Sequence, residues 1–554
     1  MDYTQRYQFW LDAHLPEEVQ AELKSIENNE QEQKSRFGME LQFGTAGMRG
    51  IMGVGSNRLN RYTVRRAAQG MAAWLSSTDL PQKAAIGYDS RHNSQLFAEV
   101  CAVAFAEAGI ETYLYDRLAP TPMLSFAGRE LKCGCGIVIS ASHNSGEYNG
   151  VKCYGPDGCQ MTDEPAAVVT EKISSIPFFQ PETKSFAQFM DEGLIHYIEQ
   201  SLWEAYYQTV LAEMVRSSGL NVVYTPLCGT GNEPVREILK RLNVNVNIVA
   251  CQEQPDGDFK TCEYPNPETD AALEQSYLVA DRVDCDVILG TDPDCDRVAI
   301  AVPCENGYQK LTGNELGCLL LEYILKARSA QNNIPENAIT VRSIVSSPLA
   351  DRIAAHYGVT MKAVLTGFKY IGGEILQLEN ISQENRFIFG FEESCGYLKG
   401  TYARDKDAVV ASMLVCELAA SLKKENKSIL DAVKEMYTTY GYFQAKVQSI
   451  ELTGADAMEK AAKMMADLRE SVPAAIGGAK VTCVRDYRSS IAKNLETGEE
   501  RAITLPKSNV LEFLLGDKGS VIARPSGTEP KVKFYYTAVG ETKESAKALL
   551  DACV

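Results

Sequence analysis

The chain has 554 residues, 45% of them hydrophobic and 23% charged, and its 55 Lys and Arg against 73 Asp and Glu give a net charge of −18. At roughly 100–200 residues per domain this supports three or four domains with real cores, which excludes disorder as the main state. The acidic balance argues against a protein built to coat nucleic acid or an anionic membrane.

Residues 1–11 are polar and aromatic, with no basic stretch leading into an apolar run, so they do not read as a secretory signal. The longest apolar stretches, such as 409–415, fall short of a bilayer span. Leu15, Val19, Leu23 and Ile26 recur at helical spacing and predict a helix from Pro16 to about residue 28. The glycine-rich segment FGTAGMRGIMGVGSNRLN reads as a loop, followed by a helix over 63–75. Strands over 84–88, 110–114 and 136–139 then alternate with a helix over 96–108. The same alternation returns as a helix over 192–216, a strand over 221–225, a helix over 235–242 and strands over 246–250 and 285–289. A third stretch has a helix over 315–326, a strand over 341–345, a helix over 349–357 and strands over 362–365 and 387–389. This alternation predicts α/β domains with parallel or mixed sheets. From about residue 442 the pattern changes to a helix over 457–468, short strands and a last helix from about 543, a smaller α+β domain. Boundaries near 205, 320 and 445 divide the chain into 1–205, 206–320, 321–445 and 446–554. The sixteen cysteines sit largely in apolar runs, with no CxxC pair or histidine cluster. They predict free thiols in a reducing cytosol rather than structural zinc.

Four loops at strand ends carry the chemistry, where α/β sheets place it. In GTDPDCDR, Asp292, Asp294 and Asp296 alternate after an apolar strand. Carboxylates so close repel unless a cation sits among them, and a hard divalent ion with oxygen ligands is the natural partner. A solvated acidic turn is the plainer alternative, weakened by three acids in five positions closed by Arg297. In SASHNSGEYNGVKCYG, Ser142 is a candidate nucleophile and Lys152 or His143 a proton carrier, although an ordinary polar loop would look similar. In GFEESCGY, Glu392 and Ser394 offer a carboxylate and a hydroxyl suited to vicinal sugar hydroxyls, or equally a helix cap. Lys369 lies upstream in TGFKYIGG, and YARDKDAV downstream sets Arg404 and Lys406 beside two aspartates. In RPSGTEPK, Arg524, Ser526, Gly527 and Thr528 make either a phosphate nest or a plain turn. Arg49 adds a cation among glycines. A serine, a metal, a hydroxyl-binding acid and a remote phosphate nest together describe phosphoryl transfer between an enzyme serine and a small phosphorylated polyol.

This set resembles the α-D-phosphohexomutase superfamily, most of all its bacterial phosphoglucomutase branch, from about Phe43 to the C-terminal helix. The resemblance implies three similar α/β domains and a smaller C-terminal α+β domain around a central cleft. It implies that Ser142 is phosphorylated, and that Asp292, Asp294 and Asp296 with the Ser142 phosphate bind one Mg2+. Lys152 would handle the proton, Arg49 would steady the phosphoryl group and His143 would support both. Glu392 and Ser394 would hold sugar hydroxyls, with Lys369, Arg404 and Arg297 aiding recognition. Arg524, Ser526, Gly527 and Thr528 would clamp the non-reacting phosphate. The implied activity is interconversion of glucose 1-phosphate and glucose 6-phosphate through glucose 1,6-bisphosphate. Phosphopentomutase, phosphomannomutase and glucose-1,6-bisphosphate synthase are the alternatives. A cytoplasmic monomer or weak homodimer is expected, with phosphorylated sugars as its only partners and neither nucleic acid nor membrane among them. One departure stands out: the family pattern has Asn-Pro where this chain has Asn144-Ser145, which predicts a less rigid serine loop. A milder one is Cys295, where a small residue such as alanine is usual.

Overall fold

The computed structural model describes residues 1–44, 47–215, 220–453, 457–526 and 531–554. Packing divides the chain into two units, Met1–Gly313 with Phe368–Glu425, and Asn314–Gly367 with Asn426–Val554.

The first unit opens with three short helices, Tyr3–Leu11, Glu17–Ser25 and Glu30–Phe37. They close around Trp10, which is fully buried and meets Phe37, Tyr62, Phe178 and Phe179 edge-on. Glu22 Oε1 pairs with Arg36 at 2.5 Å and accepts the Val54 N–H at 3.0 Å, tying this cap to the chain that follows.

Two sheets come next. The first runs β1 (Gly47–Ile51), β2 (Lys83–Tyr88), β3 (Glu111–Leu114), β4 (Cys135–Ile139), β5 (Tyr148–Tyr154) and β6 (Ile195–Tyr197) in chain order, and 1-5-4-2-3-6 in space. Strands β4, β2, β3 and β6 are parallel, and β5 and β1 return antiparallel. Helices Arg61–Ser76 and Ser94–Glu107 pack against it through Val64, Met71, Phe97 and Phe105. The glycine-rich segment expected as a loop therefore contains a strand. Glycines on both strands permit that pairing: a Cβ on Gly47 of β1 would fall on the Val151 carbonyl, and one on Gly150 of β5 would lie 2.6 Å from the Ser140 carbonyl. The helix expected over 192–216 is also shorter. Gly193 adopts a left-handed φ of 74°, Ile195–Tyr197 pair with β3, and the helix is Gln200–Ala212.

The second sheet contains β7 (Asn221–Thr225), β8 (Asn245–Ile248), β9 (Val287–Thr291), β10 (Val298–Cys304) and β11 (Gly307–Lys310), ordered 11-10-9-7-8. Strands β9, β7 and β8 are parallel, with β10 and β11 antiparallel at the edge. The unit also holds helix Phe368–Glu379, the hairpin Phe387–Glu392 and Gly396–Lys399, and the buried helix Ala408–Lys424. Asp407 fixes the start of that last helix. Its Oδ1 caps the Val409 and Val410 N–H groups, and its Oδ2 accepts from Tyr206 at 2.8 Å and Tyr402 at 2.7 Å.

In the second unit, the parallel strands Ile339–Ser343 and Thr360–Val364 flank helix Leu349–His356. The C-terminal part is a seven-stranded antiparallel sheet whose long strands are Tyr442–Glu451, Gly519–Pro525 and Lys531–Gly540. Helices Ala457–Glu470 and Lys543–Cys553 contribute Met465 and Leu550 to its core. The fold is thus α/β with mixed sheets, followed by a C-terminal domain on an antiparallel sheet. All sixteen cysteines are free thiols, and burial pushes several up, Cys133 and Cys228 to about 12. No helix among the described residues is long and apolar enough to cross a membrane.

Candidate active site

Two strand ends of the first unit build the site. Strand β4 is buried throughout, and the chain turns at residues 140–147 before returning as β5. Ser142 lies in that turn, 3% exposed, with a left-handed φ of 52° that costs a residue with a side chain free energy. Its Oγ donates to Asp292 Oδ2 at 2.8 Å and lies 3.1 Å from His143 Nδ1. Asp292 follows β9 directly, and its Oδ1 accepts the N–H groups of Asp296 and Arg297 at 3.1 and 3.0 Å. Cys295, also left-handed at φ 52°, bends this loop so that Asp292, Asp294 and Asp296 each bring one carboxylate oxygen within 4.8 Å of the others.

These acids are 0–2% exposed, and two buried lysines answer them. Lys152, on β5, places Nζ against Asp294 Oδ2 and 3.2 Å from Asp296 Oδ2. Lys406 places Nζ 3.2 Å from Asp296 Oδ2 and 3.0 Å from Asp405 Oδ1. Burial and the charges of Asp294 and Asp296 push Asp292 well above the usual carboxylate range. Burial acts the same way on Asp294, but the Lys152 ammonium overrides it and holds that carboxyl low. Burial, then Arg297 and Arg49, push His143 well below the ordinary histidine value, which keeps its ring neutral near pH 7.

The donor set fits a divalent cation. Asp294 Oδ1 and Asp296 Oδ1 are buried with no hydrogen-bond partner among the described residues, a costly arrangement that an ion with oxygen ligands relieves.

The other expected residues fall into two groups. Arg49, on β1, donates to Asn144 Oδ1 at 2.9 Å beside Ser142. Arg297 is braced by Glu268 at 3.0 Å and faces Asp296 at 3.8 Å. Glu392 ends its strand 6% exposed, within the electrostatic reach of both Arg297 and Lys406, and Ser394 follows in the hairpin turn, half-buried. Arg49, Arg297 and Glu392 join the centre. Lys369 instead pairs with Asp163 at 2.9 Å. Arg404 is 1% exposed and turned into the protein, donating to the Thr401 and Ala403 carbonyls and to Glu379. Arg524 and Ser526 belong to the second unit, where the Ser526 N–H donates to the Lys531 carbonyl at 2.8 Å. Gly527 and Thr528 lie outside the described residues.

Sequence reasoning carried forward Arg404 from YARDKDAV and left Lys406, which is the cation that meets the acids. Thr121 was also missed. Its hydroxyl donates to Asp294 Oδ2 at 3.1 Å and its N–H to the Asp294 carbonyl, and nothing in its sequence context marks it.

Comparison with known proteins identifies the family. The alpha/beta/alpha domains I, II and III described for phosphoglucomutase/phosphomannomutase match residues 40–179, 200–307 and 312–440, and the C-terminal domain matches 457–553. A phosphoglucomutase of Staphylococcus epidermidis is 38% identical over 532 residues, covering 95% of each chain. Among solved structures, a phosphoglucomutase/phosphomannomutase family protein of Burkholderia thailandensis shares the fold at a TM-score of 0.68 and 16% identity, over 92% of this chain and 95% of that one. An N-acetylphosphoglucosamine mutase of Aspergillus fumigatus, solved with GlcNAc-6P and magnesium, aligns at a TM-score of 0.52 and 15% identity, over 94% of this chain and 98% of that one. Four family domains in order, on a chain whose buried serine faces three aspartates, lead to one conclusion: the chain belongs to the phosphoglucomutase/phosphomannomutase family and is an intramolecular phosphotransferase of the isomerase class.

Proposed function

We propose that the protein is a phosphoglucomutase that interconverts α-D-glucose 1-phosphate and glucose 6-phosphate through a phosphoserine enzyme. The observation that carries this is the Ser142 hydroxyl, 2.8 Å from Asp292, the first of three buried aspartates of which the second meets the buried Lys152. Phosphorylated Ser142 gives its phosphoryl group to the free sugar hydroxyl, and glucose 1,6-bisphosphate forms; Lys152, an ammonium between Asp294 and Asp296, handles the proton by first giving its own to solvent and then taking the one the hydroxyl loses. The bisphosphate turns end over end, its other phosphoryl group returns to Ser142 Oγ, and the isomeric monophosphate leaves. Arg49 holds the phosphoryl oxygens in passage, and neutral His143 accepts or donates a hydrogen bond at Ser142 without adding charge. Glu392 and Ser394 take the sugar hydroxyls, with Arg297 and Lys369 contributing to recognition. Arg524, Ser526, Gly527 and Thr528 form the phosphate-holding loop. Asp292, Asp294 and Asp296, with the Ser142 phosphate, would hold one Mg2+, which when bound supplies electrostatic stabilisation of the phosphoryl oxygens. This reading divides the chain near 205, 320 and 445 into four domains giving one loop each. It describes a monomer or weak homodimer working in the cytosol, primed by glucose 1,6-bisphosphate.

The test is a coupled assay with Mg2+ and the bisphosphate, comparing glucose 1-phosphate, mannose 1-phosphate and ribose 1-phosphate. The highest kcat/KM is expected for glucose 1-phosphate. A higher value for ribose 1-phosphate would make the protein a phosphopentomutase, and inactivity on all three would overturn the mutase reading. Intact mass should show one phosphate that disappears in Ser142→Ala.

A further inference from the structure

A cluster of buried polar side chains packs against the backbone of the serine loop. It is centred on Arg91, two residues beyond Asp89 in the turn that follows β2. Arg91 is 3% exposed. Its Nη1 donates to the Ser145 and Tyr148 carbonyls at 2.7 and 2.9 Å, and its Nη2 to the Ser142 and Asn144 carbonyls at 2.7 and 2.5 Å. Its Nε lies 3.2 Å from Asp89 Oδ2, and the Phe259 ring covers the guanidinium at 5.0 Å. Asp89 Oδ1 accepts the Arg91 N–H at 3.0 Å and the Ser94 hydroxyl at 2.7 Å. Ser94 Oγ in turn accepts from Asn149, whose carbonyl oxygen takes the Gly150 N–H. One side chain therefore satisfies four backbone acceptors of a single turn, from a site closed to water.

We infer that Arg91 is a positioning residue for phosphoryl transfer: its guanidinium clamps the backbone of residues 142–148 and holds Ser142 in the left-handed conformation that aims Oγ at Asp292. This rests on the reading of Ser142 as the nucleophile. Two physical arguments support it. The turn points four carbonyls at one guanidinium, and although the Ser145 carbonyl also accepts the Tyr148 N–H at 3.1 Å, only the planar guanidinium fork spans all four at once. A left-handed serine relaxes unless its surroundings over-determine it, and here its own carbonyl is one of the four held. The clamp also reverses the expectation that Asn144-Ser145 leaves the loop loose, since the Ser145 carbonyl is pinned by Arg91.

The test uses Arg91→Lys and Asp89→Asn in the full chain, each checked for folding by circular dichroism. The readouts are steady-state kinetics with glucose 1-phosphate and amide hydrogen exchange over 140–150. For Arg91→Lys the expected result is a kcat at least 30-fold lower with KM within threefold, and exchange over 140–150 at least tenfold faster with other peptides unchanged. Asp89→Asn should show the same pattern, weaker, and decides the matter if Arg91→Lys does not fold. Unchanged exchange over 140–150 in the folded variants, or a raised KM with kcat intact, would overturn the clamp. The exchange arm does not depend on turnover. A wild-type protein inactive on every sugar phosphate, with a loosened loop in Arg91→Lys, would refute the functional reading and leave the clamp standing.

Discussion

Arg404→Met separates two roles for an arginine that sequence alone assigned to the sugar. The side chain is 1% exposed, and its guanidinium serves the carbonyls of Thr401 and Ala403 and one oxygen of Glu379 at 2.8 Å. Losing the donor to the half-buried Thr401 carbonyl and the buried Ala403 carbonyl costs about 1–1.5 kcal/mol each. Glu379 is 37% exposed and keeps Arg129 at 2.8 Å, so solvent screens its share to about 0.5–1 kcal/mol. The total is about 3 kcal/mol. At about 2 °C per kcal/mol, the low end for large domains, the melting transition should fall by roughly 6 °C. KM for glucose 1-phosphate should stay within twofold, because no atom of the guanidinium is turned toward the aspartates. Differential scanning fluorimetry and initial-rate kinetics on the same preparation measure both. A melting temperature within about 1 °C of wild type, combined with a tenfold higher KM, would refute the reasoning and return Arg404 to the substrate.

Lys406→Met removes a cation 3.2 Å from Asp296 and should lower kcat about 100-fold while the protein stays folded; an unchanged kcat would exclude Lys406 from the centre. Lys152→Met should cost about 10²–10⁴ in kcat with little change in KM, and a kcat within threefold of wild type would show that Lys152 does not move the proton. Treatment with EDTA should abolish turnover and Mg2+ restore it. In Asp294→Asn the Mg2+ concentration giving half-maximal rate should rise at least tenfold, and metal-independent turnover would argue against the triad as ligands. Trp10→Ala empties the centre of the N-terminal cap and should destabilise it by about 3–5 kcal/mol, seen as an early urea transition; a single unshifted transition would mean that the cap contributes nothing.

The strand-to-loop junctions were legible because apolar runs end abruptly in polar, glycine-containing segments, so the serine and aspartate loops could be read before any fold was known. The pairing of β1 with β5 was not. Glycines that allow close strand approach look the same in sequence as glycines that allow a turn, and only the neighbouring Val151 and Ser140 carbonyls distinguish them. Arg404 and Lys406 illustrate a second limit. Two cations two residues apart in one polar turn carry equal local information, and which one faces the aspartates depends on how Asp407 is anchored by Tyr206 and Tyr402, one of them about 200 residues away in the chain. Arg91 shows a third. Its partners are backbone carbonyls, which leave no trace in side-chain composition.

The distribution of thiols has a practical consequence. Fifteen of the sixteen cysteines are buried or half-buried, and Cys251, in the short turn Ala250–Gln252, is the one classed as exposed. A brief maleimide treatment should therefore modify this residue ahead of the rest, giving the native chain a nearly unique attachment point for a fluorophore or spin label. With a second dye placed by substitution in the C-terminal sheet, distances between the two units become measurable during turnover without first stripping the protein of its other cysteines.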